Sequence, residues 1–468
     1  MPSKYKPPFV HPYIPNSSPA TFQSMLDTVG AAEIDDLFEA IPEHLRSGHK
    51  KLPLPEPLLA EADLWKHVRR MLKKNQHTDD YVCFLGGGVA KHYVPAVCDE
   101  LVRKPEFYTS FMGFEASDAG KLQVEWEYQS MLCDLVDMGM TGWTTHCGAS
   151  AGASAVLFGG RLNPDKHDAV VAGNLSPDRK SVINETCRAR LNMVFVDVDP
   201  QTGLIDIDDY RSKVSKDTAV IYFENPAYLG AIETRGAEIC RIAHEHGALC
   251  AVSVNPISLG LLEPPRSYGA DIICGDTQPL GIHLQYGGGN CGFVACPDEE
   301  RYAVQYPFVL VTATETDVPG EMGFCEPNLE TTSYGLREES GDMTGTNAEL
   351  WTVPVGAYLA QMGPQGMREV GETIISNAHY AKTRLATVTG VGLPLKSTPF
   401  MEVVVNFDGT GKTVGEINKA LLDRGMFGGH DISREFPQFG QSALFCFTEL
   451  ITKQDVDNLV ASLQEIVK

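Results

Sequence analysis

Positive charge is scarce in this sequence: 38 Lys and Arg stand against 61 Asp and Glu, a formal net charge of −23 at pH 7. Nucleic-acid binders draw most of their affinity from basic side chains that neutralise phosphates, so that class is excluded, and an anionic membrane surface would repel the chain. The acids are spread along the chain without an acidic tail, which reads as a contribution to solubility. No CxxC pair occurs among the 12 cysteines, which speaks against a zinc or redox motif and leads to the expectation of mostly buried free thiols. No uninterrupted apolar run reaches the roughly 20 residues of a membrane helix. The opening Met1-Pro2-Ser3-Lys4-Tyr5-Lys6-Pro7-Pro8 has no apolar h-region, so the chain is expected to stay in a reducing cytoplasm. HExxH and P-loop patterns are missing, and neither Gly86-Gly87-Gly88 nor Gly287-Gly288-Gly289 is a dinucleotide fingerprint. His244 and His246, two apart on a predicted helix, face different directions and make a poor metal pair.

What is present suits a large α/β protein. At 468 residues, 43% hydrophobic and 21% charged, the chain can bury a substantial core in one large domain with smaller additions. Residues 1–65, proline- and acid-rich around one amphipathic stretch (19–41), read as an N-terminal arm of the kind that clasps a partner. Residues 66–335 alternate helical patterns, such as 232–246, with short apolar runs at 169–173, 193–198, 219–224, 249–254, 271–274 and 292–296. That alternation predicts βα units and a parallel-rich sheet covered on both faces. Residues 336–468 contain a long helical pattern (346 to about 388), an alternating run (400–407) and a final amphipathic helix (453–467), which together predict a small α+β domain with a connecting helix.

Ligands in open α/β sheets bind beyond the carboxyl ends of the strands, so residues just after the apolar runs carry the most weight. Thr144-Thr145-His146-Cys147-Gly148-Ala149-Ser150 enters a small-residue helix whose N–H groups suit an anion, or whose small side chains serve tight packing. Asn255, after an apolar strand, either hydrogen-bonds a ligand or caps the following turn. Gly275-Asp276-Thr277-Gln278-Pro279-Leu280-Gly281 is the third such place.

Several stretches resemble the first subunit of the two-chain glycine decarboxylase, the P-protein of the glycine cleavage system. They include Tyr13-Ile14-Pro15-Asn16, Phe84-Leu85-Gly86-Gly87-Gly88, His92-Tyr93-Val94-Pro95, Glu127-Tyr128-Gln129, Tyr268-Gly269-Ala270-Asp271-Ile272 and Gly428-Gly429-His430-Asp431-Ile432. The resemblance is nearly full length and in order. It implies a fold-type-I, pyridoxal-phosphate (PLP) transferase-like large domain and a homologous lysine-bearing second subunit that holds the PLP in an α2β2 assembly. It also implies decarboxylation of glycine, with transfer of the aminomethyl group to the lipoyl H-protein. In such a complex His146, Ser150, Asn255 and Gln278 would be remnants of a cofactor cleft, and His92 and Glu115 would lie nearer the interface or substrate.

The residues themselves bear on the degenerate role. A covalent PLP site needs a lysine near the strand ends, and this chain has none between Lys216 and Lys382. By the same resemblance, Gln278-Pro279 stands where the catalytic relative carries a His-Lys pair, and Asn255 where an aspartate would partner the pyridine nitrogen. Residues 111–118 and 337–345 depart from the family's usual loops. These departures keep two alternatives in play: a related PLP complex acting on another amino acid or amine, and a non-catalytic scaffold.

Overall fold

The structure is a computed structural model that describes residues 10–46, 55–107, 119–285, 289–326, 336, 343–345 and 348–468. The chain divides into two compact units, Met1–Asn75 and Gln76–Lys468. In the first, Ser18 caps helix α1 (Pro19–Val29) by accepting from the Thr21 N–H, and Pro19 stands at its first position. Gly30, with φ +74°, ends it, so the amphipathic stretch expected over 19–41 is α-helical only as far as Val29. Helix α2 (Glu61–Leu72) sets Glu61 and Asp63 at its start and Arg69 and Arg70 at its end, matching the helix dipole. Leu26 is the one fully buried hydrophobic side chain among this unit's described residues, while Tyr13, Leu59 and Trp65 are exposed.

The second unit opens with β1 (Val82–Cys83), α3 (Ala96–Val102), α4 (Ala119–Val136), β2 (Met140–Thr141) and α5 (Gly148–Leu162). Alternating elements follow: β3 (Asp168–Ala172), α6 (Pro177–Cys187), β4 (Asn192–Val196), α7 (Ile207–Lys213), β5 (Thr218–Glu224), α8 (Gly236–Glu245), β6 (Leu249–Val254), β7 (Ile272–Asp276) and β8 (Gly292–Cys296). Each of the six predicted apolar runs is one of the strands β3 to β8. They form a seven-stranded sheet in the order β2-β8-β7-β6-β5-β3-β4, with β4, β3, β5, β6 and β7 parallel and the β2 and β8 pairings antiparallel. Every residue of β5 is buried, as a central strand with both faces covered requires. Helix α5 lies close on this sheet: a Cβ added to Gly159 would stand 2.4 Å from Val220 Cβ. Its small residues therefore serve packing.

After α9 (Glu300–Ala303) and the hairpin of β9 (Thr312–Glu315) with β10 (Met322–Cys325) comes α10 (Thr352–Leu385). The continuous helix expected from 346 to about 388 is broken: Gly363 has φ +56° and ψ −176°, ahead of Pro364. Proline disfavours helical backbone in the residue before it and cannot donate to the helical ladder, so the chain kinks there. The remaining elements are β11 (Glu402–Asn406), α11 (Val414–Leu422), β12 (Met426–Phe427), β13 (His430–Asp431), β14 (Ser442–Cys446) and α12 (Lys453–Ile466). Strands β11, β14 and β13 make an antiparallel sheet, and β1 pairs in parallel with β12. Phe84, Ala378, Val405, Phe407, Phe445 and Leu459 share a second core separate from that of the large sheet.

Where α4 meets the start of α10, Lys121 pairs with Glu349, and Glu125 lies beside them 1% exposed. Burial, and then the neighbouring Glu349 carboxylate, push the Glu125 carboxyl well above the ordinary glutamate range. A raised native value means the folded state holds a proton that the unfolded chain releases. The stability is therefore full at low pH and is lost as pH rises from the unfolded value toward the native one. Glu125→Gln removes that loss. Its stability in thermal unfolding should match wild type near pH 5 and exceed it increasingly toward pH 9, by about 1.4 kcal/mol for each pH unit between the ordinary and raised values. A constant difference across pH in thermal unfolding would dismiss this account.

Candidate functional site

The carboxyl ends of the central strands open on a cavity of about 60 Å³. Glu224 ends β5, Ser253 and Val254 end β6, Asp276 ends β7, and Arg179 comes from the first turn of α6; all of them line the cavity. Arg179 Nη1 donates to Glu224 Oε1 at 2.7 Å and to Ser253 Oγ at 3.2 Å. Burial works against both charges. The facing Glu224 carboxylate holds Arg179 protonated, and Arg179 in turn counters the upward pull of burial on Glu224. The guanidinium thus crosses the floor of the cleft.

Asp276 caps the start of α5. Its Oδ2 accepts from the Gly148 N–H at 2.8 Å, and its Oδ1 accepts from the Gln278 and Cys291 N–H groups at 2.9 and 3.0 Å. Gly148 is the first residue of α5, so a carboxylate of this same chain sits where that helix N-terminus would meet an external anion.

From the opposite side, β11 brings Glu402. Gly230, with φ +88°, allows the approach: a Cβ there would stand 2.0 Å from the Glu402 carbonyl oxygen, and the Phe400 N–H donates to Gly230 O at 2.9 Å. Burial, then the nearby Glu224 carboxylate, push the Glu402 carboxyl up to about 8.

The residues singled out from sequence fall in different places. Asn255 and Gln278 line the cavity together. Asn255 Oδ1 also caps the turn Pro256–Gly260 through the Ile257 N–H, and Gln278 Nε2 donates to Ile282 O at 3.0 Å. Ser150 and His146 are not among the cavity-lining residues, and Ser150 Oγ is committed to the Cys147 backbone. His92 is buried against Glu449, with Nδ1 and Oε2 2.9 Å apart, and does not line the cavity. Glu115 lies outside the described residues, as do residues 111–118 and most of 337–345. Sequence reading did not single out Arg179, Glu224 or Glu402, and named Asp276 only as part of the stretch 275–281. Glu224 carried a signal, being an acid that ends an otherwise apolar run, but Arg179 on its helix carried none.

The architecture is that of the fold-type-I enzymes, the PLP-dependent transferase fold. This chain's cleft does not fit the cofactor. Its volume of about 60 Å³ is far below the roughly 300–1,000 Å³ of small-molecule sites. Pro279 offers no amine, and the Asp276 carboxylate already holds the Gly148 N–H at the start of α5. The sequence profile of the Glycine cleavage system P-protein family matches residues 11–463, and the chain belongs to that family.

Among its relatives is the probable glycine dehydrogenase (decarboxylating) subunit 1 of Staphylothermus marinus, 33% identical over 465 residues and covering 98% of each chain. The crystal structure of a glycine decarboxylase (P-protein) of the glycine cleavage system, in inhibitor-bound form, superposes with a TM-score of 0.84 at 30% identity, over 97% of this chain and 100% of that one. A sphingosine-1-phosphate lyase from Burkholderia pseudomallei, 15% identical with a TM-score of 0.65, shares the fold over 89% of this chain and 92% of its own.

Proposed function

We propose that this chain is the subunit of a PLP-dependent glycine decarboxylase that carries no PLP itself. It pairs with a homologous lysine-bearing second subunit as α2β2, and the complex passes the aminomethyl group to the lipoyl arm of the H-protein. The observation that carries the reading is the cleft: it lacks a lysine, and an Arg179–Glu224 ion pair and the Asp276 carboxylate fill it. The relatives' designation as subunit 1 supports a two-chain enzyme. PLP on the partner supplies the electron sink for decarboxylation. This chain's part is to complete and orient the shared assembly, and exposed apolar side chains of the first unit such as Tyr13, Leu59 and Trp65 suit a partner surface.

The test is reconstitution. The chain alone, incubated with PLP and borohydride, should gain no mass and show no glycine–bicarbonate exchange; with its cognate second subunit and H-protein, exchange should appear. A stoichiometric adduct on one lysine of this chain would overturn the non-binding role. Absence of exchange from a correctly assembled complex, or preference for another amine in a substrate panel, would overturn the glycine assignment.

A further inference from the structure

The cavity that remains in the cleft has a chemical character of its own, independent of the family reading. Glu402 is 8% exposed, lines the cavity, and accepts no hydrogen bond from another described residue. The other acids there are spoken for: Glu224 faces Arg179, and Asp276 caps three backbone N–H groups. A buried carboxyl whose one donor is its own backbone N–H is costly unless it stays protonated or meets a cation. The titratable and charged groups facing it are Glu224 and Tyr228 from β5 and the loop beyond it, Arg179 from α6, Asp276 from β7, and Cys446 from β14. Arg179 is held by Glu224, so no cation is left over for Glu402. The lining also offers the Tyr228 hydroxyl and the Asn255 amide as polar partners. A volume of about 60 Å³ admits a guest the size of one or two waters.

We infer that this remodelled cleft is a site for a small protonated amine, of ammonium to methylammonium size, whose N–H groups donate to Glu402. Binding exchanges the proton on Glu402 for the cation: the O–H bond breaks, the proton passes to solvent, and the carboxylate accepts from the ammonium. With the carboxyl raised to about 8, affinity rises with pH up to that value and levels beyond it.

The experiment uses the full chain and methylammonium chloride, with potassium chloride at matched ionic strength as control, in calorimetric titration and thermal unfolding at pH 6, 7, 8 and 9. Saturable, methylammonium-specific stabilisation is expected, with affinity climbing roughly tenfold per pH unit from 6 to 8 because one proton is released per amine bound. It should be lost in the isosteric Glu402→Gln variant, and tetramethylammonium should not reproduce it. Absence of a methylammonium effect in the wild type at pH 9, retention of the effect in E402Q, or an affinity flat with pH would each overturn the site. Should circular dichroism show E402Q misfolded, the pH slope of the wild type decides.

Discussion

Arg179→Met should destabilise the second unit by about 3–5 kcal/mol, because it strands the Glu224 carboxylate in a buried site without its counter-charge. Arg179 is held in place by Glu224 Oε1 at 2.7 Å and Ser253 Oγ at 3.2 Å, and Glu224 is 4% exposed. A fully protonated Glu224 would lessen the penalty, so the loss should be smaller at pH 5 than at pH 8. The double variant Arg179→Met/Glu224→Leu, which removes both charges, should recover most of the single variant's loss. Replacing a buried ion pair with apolar groups is commonly near neutral, whereas halving it is not. Chemical denaturation of the four proteins of this cycle reads the coupling directly. Additive losses would mean the two side chains act separately, and the description of the cleft floor would be wrong.

Asp276→Ala should cost about 3 kcal/mol or more, since the Gly148, Gln278 and Cys291 N–H groups lose their shared acceptor in one step. Two of the three lie outside any helix or strand ladder, so no backbone carbonyl stands ready to replace the carboxylate. The variant also uncovers the α5 N-terminus next to Arg179, which is a combination suited to an anion. Inorganic phosphate should therefore raise the melting temperature of the variant and leave the wild type unchanged. At tenfold excess over its dissociation constant it would return about 1.4 kcal/mol. Equal phosphate effects on both proteins would show that Asp276 does not stand in for a bound anion.

Legibility of the fold and of the site differ for a physical reason. Strands β3, β5, β6 and β7 were readable because a central parallel strand must be apolar along its whole length, and that requirement is written locally in 169–173 or 249–254. The break in α10 was written in Gly363-Pro364 as well, although helical periodicity on either side of it reads as one helix. Asn255 and Gln278 could be placed near the cleft because residues after strand ends converge there. The lysine gap from Lys216 to Lys382 and Pro279 at the expected position are facts of sequence that bear on cofactor chemistry without any coordinates.

Composition and order of residues alone therefore determined the class of fold, the family resemblance and the absence of an amine at the strand ends. Tertiary structure alone decided which side chains meet at those strand ends. Arg179 and Glu224 are 45 residues apart and meet only because β3 and β5 are neighbours in the sheet. Asp276 reaches Gly148 across 128 residues, and Glu402 arrives from the second sheet over Gly230. Hydrophobic periodicity is a local property, fixed by which face of each element must leave water. The pairing of buried polar groups is set by which elements become neighbours, and that is known only once the chain has packed.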